Sequence, residues 1–334
     1  MKYKFLLVSL ILIIAVLSCE EEITIDLNSS TKSLVVEGYI QEGYPSYVYL
    51  TKSEGYFNVI DSNTLENLFV KNAQVYVERE DGLVHELTLI DNNFLDSTGL
   101  IDSIDINVSG LYIDLNFQEN SFAQEGFNYK LKILWEGDTI ESTTVIPPKY
   151  PIDSVWVSKM DSLSEDYKCY VWARVNDPDT LGNSITAHFK RISSSTWGSS
   201  DDFFIPCAIS ARSDQLVNGN SFNALFARSG RFTDEDGVFL PFYSDRIENG
   251  DIVKKDIIIL RLRHVSQEVY RFWRDAERSE EGNSNPFSEP KNLPSNIIGG
   301  LGVWGGYGTS YYKIPIVKDT VIYTPITVSI FDMF

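Results

Sequence analysis

Ser33-Leu34-Val35-Val36-Glu37-Gly38-Tyr39-Ile40, Tyr47-Val48-Tyr49-Leu50-Thr51 and Ala73-Gln74-Val75-Tyr76-Val77-Glu78 decide the class of this chain. These runs are rich in β-branched and aromatic residues and are separated by Gly, Pro and Asn/Asp turns, the signature of short strands. Working outward, the same texture predicts strands at 84–90, 111–117, 128–135 and 138–146, with Asp81-Gly82 and Glu136-Gly137-Asp138 as tight turns. Short strands at this spacing, without helices between them, predict an immunoglobulin-like β-sandwich over 34–147.

Ile146-Pro147-Pro148-Lys149-Tyr150-Pro151 cannot continue a ladder, because each proline removes a backbone donor and fixes φ; the domain boundary is placed there. The second β-rich domain, 148–334, carries strand patterns near 154–159, 168–176, 184–191, 222–228 and 251–264. A Ser/Gly/Asp-rich insertion lies among them, most polar from Ser193 to Asp202. One helix is expected over 266–281: Ser266 can cap it, and Val269, Phe272, Trp273 and Ala276 fall on one apolar face before Gly282. A glycine-rich stretch, Gly299 to Gly308, and two closing strands complete a mainly β protein of two sandwich-like domains.

The N-terminus sets the expected address. Lys2 and Lys4 precede an apolar run, Phe5 to Leu17, that ends in Val16-Leu17-Ser18-Cys19, the pattern of a lipoprotein signal peptide over 1–18. The run is shorter than the roughly 20 residues of a spanning helix. Lipidation at Cys19 would give the two or more acyl chains that stable anchoring requires. Residues 19–33 open with Glu20-Glu21-Glu22 and read as a flexible acidic tether. The acidic cluster resembles the signal that sends lipoproteins of Bacteroidota to the cell surface; a solvated tether is the plainer alternative. The outer membrane, with the chain on its outer side, is therefore the expected location.

Asp and Glu number 47 against 28 Lys and Arg, a net charge of −19, which argues against a nucleic-acid partner and against polybasic docking on lipid. Beyond Cys19 there are Cys169 and Cys207; no Cys-x-x-Cys pair exists, and buried thiols are expected ahead of a disulfide. His85, His188 and His264 are isolated, with no second histidine at helical spacing, so no metal is predicted. Gly300-x-Gly302-x-x-Gly305 matches a dinucleotide fingerprint in form only: it sits late in a β pattern, and close backbone packing or a bulge is the expectation. No nucleophile elbow or phosphate-binding loop occurs, and no cofactor or catalytic residue is predicted. Asp177-Pro178-Asp179 and Asp234-Glu235-Asp236-Gly237 could offer oxygens to calcium but complete no EF-hand loop, and solvated turns are expected. Asp-Ser/Thr-apolar triplets at 96–98, 102–104, 138–140, 153–155, 161–163, 179–181 and 319–321 resemble O-glycosylation acceptors of exported Bacteroidota proteins, and equally suit β-turns.

The whole mature chain resembles the Bacteroidota lipoprotein family described as domain of unknown function 4249. The resemblance is carried by Cys19, Val35-Val36-Glu37-Gly38, Leu50-Thr51-Lys52-Ser53 with Tyr56-Phe57, and Pro151-Ile152-Asp153-Ser154. Its most specific parts are Asn285-Pro286-Phe287-Ser288-Glu289-Pro290 and Ser295 to Tyr307. The chain departs from the family at Ser184-Ile185, where tyrosines are frequent. The resemblance implies a genetic setting beside TonB-dependent outer-membrane receptors and no particular chemistry.

Three functions follow as expectations. The first is a surface-exposed accessory or ligand-capture partner of a TonB-dependent receptor, without catalysis, whose contact candidates are Tyr44, Tyr47, Tyr56, Phe57, Trp197, Phe203 and Phe204. The second is a surface hydrolase of glycan or peptide, recognisable by a pocket that gathers acids, or an acid with a histidine. The third is a structural, adhesin-like envelope protein.

Overall fold

The alternating runs become strands, and they bury one face each. β1 (Leu34–Gln41), β2 (Tyr47–Lys52), helix α1 (Ser62–Leu68), β3 (Gln74–Arg79), β4 (Val84–Ile90), β5 (Leu111–Ile113), β6 (Asn128–Trp135) and β7 (Asp138–Val145) form the first half. β8 (Ile152–Lys159), β9 (Lys168–Asn176), β10 (Ser184–Ser193), β11 (Ile205–Ser213), β12 (Ser221–Phe226) and β13 (Phe242–Tyr243) follow. Next come β14 (Arg246–Glu248), β15 (Asp251–Val253), β16 (Ile257–Val265), helix α2 (Gln267–Gly282), β17 (Leu301–Pro315) and β18 (Thr324–Ile326). The computed structural model describes residues 33–54, 61–91, 94, 109–160, 166–193, 201, 203–228, 240–282, 292–318, 321 and 323–330. Apart from Glu54 these belong to one unit, Ser33–Ser53 with Val59–Phe334.

The protein is mainly β. Its large sheet runs β11-β10-β16-β17-β1-β2-β5-β4-β3-β6-β7, with β18 beside β17. Fifteen-residue β17 joins the halves: its first part pairs in parallel with β1, from Val35 opposite Leu301 to Gln41 opposite Tyr307. Its later part pairs antiparallel with β16, from His264 opposite Gly308 to Ile257 opposite Pro315. A second sheet places β8 and β12 on either side of β9, with β13 also on β9.

Because strand side chains alternate between faces, the central strands β1, β2, β16 and β17 each serve more than one core. Leu34, Val36, Ile40, Val48 and Leu50 meet Val75, Leu131, Ile133 and Trp304 in a first core. Ile258, Leu260 and Leu262 meet Val171, Ala173 and Phe226 of the second sheet in another. On the reverse face, Tyr39, Tyr47, Val303, Tyr307 and Tyr311 pack with Val269 of α2. Full burial of each aliphatic or aromatic side chain stabilises by about 1.5–3 kcal/mol relative to exposure.

From Leu301 onward the glycine-rich stretch is strand β17, and its glycines permit the close backbone packing that the sequence suggests. A β-carbon at Gly306 would run into the Val145 carbonyl oxygen, and one at Gly308 into that of Pro147. With none there, β7 folds onto β17: Gly306 N donates to Thr144 Oγ1 (2.9 Å), and Glu141 and Ile298 exchange two backbone bonds. Asn296 holds Trp304 by both backbone groups, and the Trp304 indole N–H reaches the Tyr129 carbonyl at 3.1 Å inside the first core.

Helix α2 lies within a residue of its expected span, and Ser266 Oγ accepts from Val269 N at 3.4 Å. Helix α1 and strand β11 were not expected. Asp61 caps α1 by accepting from Thr64 N at 2.7 Å. In β11 the pairing jumps from Ala211 opposite Thr186 to Pro206 opposite His188, and Ile209 takes φ +52°, so the bulged residues spoil the period-2 pattern. The expected 251–264 strand is two, broken around buried Asp256, which accepts from Tyr243 N at 2.9 Å. The expected 111–117 strand stops at Ile113, after which Asp114 turns the chain by accepting from Asn116 N at 2.9 Å. No helix among the described residues is long and apolar enough to cross a membrane.

Candidate functional site

Strand β16 reads Ile257-Ile258-Ile259-Leu260-Arg261-Leu262-Arg263-His264-Val265. Leu260 and Leu262 enter the core beneath, so Arg261 and Arg263 must project to the reverse face. There they are 5% and 4% exposed. The ladders bring His188 of β10 and Tyr311 of β17 opposite Arg261, and Thr186 and Thr309 opposite Arg263. Across the parallel join stand Tyr307, then Tyr39 of β1 stacked on it at 5.1 Å, then Tyr47 of β2 stacked on Tyr39 at 4.8 Å. Helix α2 lies over this stripe, and Trp273 Nε1 donates to the Tyr307 hydroxyl at 3.0 Å.

The stripe is charged, and Glu37, an exposed carboxylate on its β1 edge, accepts from the Tyr39 hydroxyl at 2.6 Å rather than from either guanidinium. Among the described residues neither guanidinium has a carboxylate or hydrogen-bond partner, and the Nε atoms of both are buried and unpaired. His188 Nδ1 and Thr186 Oγ1 are also buried without a partner. Arg261 lies over the Phe204 ring at 4.2 Å; Arg263 lies over Tyr307 at 4.6 Å and Tyr39 at 5.3 Å. Cation–π contacts contribute about 0.5–2 kcal/mol each. Taking an unpaired ion out of water costs several kcal/mol. The aromatic contacts therefore offset only part of the desolvation.

Burial, and then the neighbouring Arg263, push Arg261 down to about 9, so it stays protonated at neutral pH. Burial holds Tyr39 well above the usual phenol range and Tyr307 up to about 12, so the ring of tyrosines supplies π faces and hydroxyls but no negative charge. Burial and the two arginines hold His188 well below the usual imidazole range, hence neutral. Tyr307 and Tyr311 accept bonds from Trp273 and Gln41, which leaves each with its own O–H to donate. Thr309 and Tyr311 also line a groove of about 860 Å³, together with Tyr44, Lys149, Tyr323 and the 325–330 segment. Lys149 is already matched there by Glu42 at 2.6 Å and Glu125 at 2.9 Å.

Tyr44 and Tyr47, expected as contact aromatics, are buried in this assembly; Phe204 is half-buried beside Arg261, and Phe203 is exposed. Cys19, Tyr56, Phe57, Trp197, the 234–237 turn and the 285–290 segment lie outside the described residues. His85 Nδ1 pairs with Asp114 at 2.8 Å, both buried, with the imidazole stacked on Phe122 at 3.8 Å. No hydroxyl or thiol is bonded to His85 among the described residues, so the pair braces the 114–122 turn. His264 uses both ring nitrogens, Nδ1 toward Gly308 O at 3.2 Å and Nε2 toward Tyr150 N at 3.4 Å, which fixes a neutral tautomer. Asp177 and Asp179 tie down the 218–219 loop by accepting from Gly219 N and Asn218 Nδ2. Cys169 and Cys207 are buried and not joined to each other, and burial pushes the Cys207 thiol up to about 12. Thr139 and Thr180 of the Asp-Ser/Thr triplets are exposed, and Ser154 is half-buried. No group of three or more metal-ligating side chains occurs among the described residues.

The arginine stripe went unrecognised from sequence. Its signal was present: two arginines at i and i+2 in an otherwise apolar strand must share one face. What the sequence did not show is that this face is covered. Compared with known proteins, residues 20–313 match the family model described as Domain of unknown function (DUF4249), and the chain belongs to that family. No curated protein matches it.

Proposed function

We propose that this family member is a ligand-capture module: a surface-exposed, lipid-anchored outer-membrane lipoprotein that serves as accessory partner of a TonB-dependent receptor and performs no catalysis. The observation that carries the binding part is the pair of buried, uncompensated arginines beside the groove. Proton transfer works best with a group whose pKa lies near the operating pH. At pH 7 burial leaves Arg261 cationic and Tyr307 and His188 neutral, an arrangement suited to holding a ligand. The lipobox ending at Cys19 supports the anchor, Glu20-Glu21-Glu22 supports surface display, and the family resemblance supports the receptor.

The test is to tag the native protein at its C-terminus, solubilise the outer membrane gently and identify what co-purifies by mass spectrometry. One TonB-dependent receptor in stoichiometric amount is the expected result. Recovery of the lipoprotein alone, in a detergent that keeps a known receptor complex together, would overturn the partnership.

A further inference from the structure

We propose that the reverse-face stripe is an oxyanion site, in which Arg261 and Arg263 together hold a phosphate or carboxylate group of a small organic ligand. The inference rests on the ligand-capture reading and names the chemistry of what is captured.

Four observations converge on it. First, the two guanidinium groups leave one strand two residues apart, about 6.6 Å along it. Their long side chains can therefore converge on a single tetrahedral or planar anion, the geometry for which the guanidinium fork is suited. Second, they are 5% and 4% exposed and have no carboxylate partner among the described residues. An anion brought between them would gain charge-assisted bonds where the surroundings are least polar and Coulomb attraction strongest. Third, the hydroxyls of Tyr307 and Tyr311 each accept a bond from a fixed neighbour and keep a proton to give, so two neutral groups of the stripe are donors as well. Fourth, Tyr311 belongs both to the stripe, opposite Arg261, and to the wall of the groove, which gives the ligand body a place beside its anionic group. The groove's lysine is not a competing anchor, because Glu42 and Glu125 already neutralise it.

The aromatic wall adds selectivity. Phe204, Tyr39 and Tyr307 occupy the faces of the guanidinium groups, leaving their N–H edges for the anion. A bare inorganic ion would use those edges alone; an organic ligand would also bury apolar surface in the groove.

The full-length lipoprotein in detergent is titrated calorimetrically with inorganic phosphate and, separately, with citrate, at constant ionic strength in chloride. Saturable binding of at least one of them, one per chain, is expected, and whichever binds tells phosphoryl from carboxylate recognition. R261M and R263M should each weaken that binding at least roughly thirtyfold, the effect of truncating one partner of a buried charge-assisted contact. Both variants should melt at or above the wild-type temperature in oxyanion-free buffer, because each removes an uncompensated buried charge. Absence of binding by the wild type up to high-millimolar concentration would overturn the proposal, as would equal binding by wild type and both variants. Its failure is separable from failure of the receptor partnership. A receptor that co-purifies with a protein indifferent to both anions refutes the oxyanion site alone, and oxyanion binding by a protein that never retains a receptor refutes the partnership alone.

Discussion

Arg261 and Arg263 are placed by the simplest rule in β structure, the alternation of faces, and their consequence comes from what the third dimension puts over them. Gln41 illustrates the point: its amide spans Tyr311 and Thr309, partners 270 and 268 positions away, and nothing local announces that pairing. The histidines behave likewise. Each looked like an isolated strand residue, and burial then made two of them sensors of acid. His188 and His264 are both held below their ordinary value, burial being the larger cause in each. In the unfolded chain they take up a proton near pH 6.5, while in the fold they resist it. The stability they contribute is therefore complete above about pH 6.5 and is lost as the pH falls from there toward the depressed folded values, by at most about 1.4 kcal/mol per pH unit for each histidine. Denaturant midpoints measured from about pH 7.5 to about pH 5 should fall, and H188Q should flatten the slope by one histidine's share. A midpoint constant across that window would contradict the burial of these rings.

At the scale of elements, strands were legible wherever a clean period of two met a turn residue, as in β4 and β6, whose spans match the sequence reading. Legibility failed where local geometry broke the period. The bulge that sends Ile209 to positive φ hides β11, and a seven-residue helix capped by Asp61 is too short to show an amphipathic face. The glycines of β17 were legible as a need for close approach, but not as the contact with β7 that closes the first core. Gly306→Ala places a methyl against the Val145 carbonyl, at a point where β7 is held to β6 by the Val145–Asn128 pairing and to β17 by the Thr144 hydroxyl. Its cost should reach the upper end of the ~1–3 kcal/mol typical of overpacking. Gly82→Ala, where a β-carbon would meet nothing, isolates the cost of positive φ alone, and chemical denaturation of the pair reads the difference. For α2, Ser266→Ala should cost about 1 kcal/mol through loss of the N-cap bond. Because α2 covers the arginine stripe, hydrogen exchange in its first turn should rise in that variant. Unchanged exchange would mean that tertiary packing, not the cap, holds the helix start.

The whole molecule carries a net charge of −19, yet its candidate site is cationic. A negative exterior repels anions at long range, and that repulsion is screened beyond about 8 Å at physiological ionic strength. The buried arginines act inside that distance, so ligand association should quicken with added salt while the contact itself is less affected. The sheet supplies the rigidity such a site needs, since β17 belongs at once to the strand ladder of each half and to the stripe. That continuity was not legible in the sequence, because it rests on a parallel pairing between Val35 and Leu301 across most of the chain. The decisive measurement is mass spectrometry of small molecules released on denaturing protein purified from its own outer membrane, wild type beside the R261M/R263M double variant, with both showing a cooperative melt. Wild type should release an organic molecule bearing a phosphate or carboxylate group that the double variant lacks. The same set of molecules from both proteins, or none from wild type, would contradict a capture function centred on these arginines.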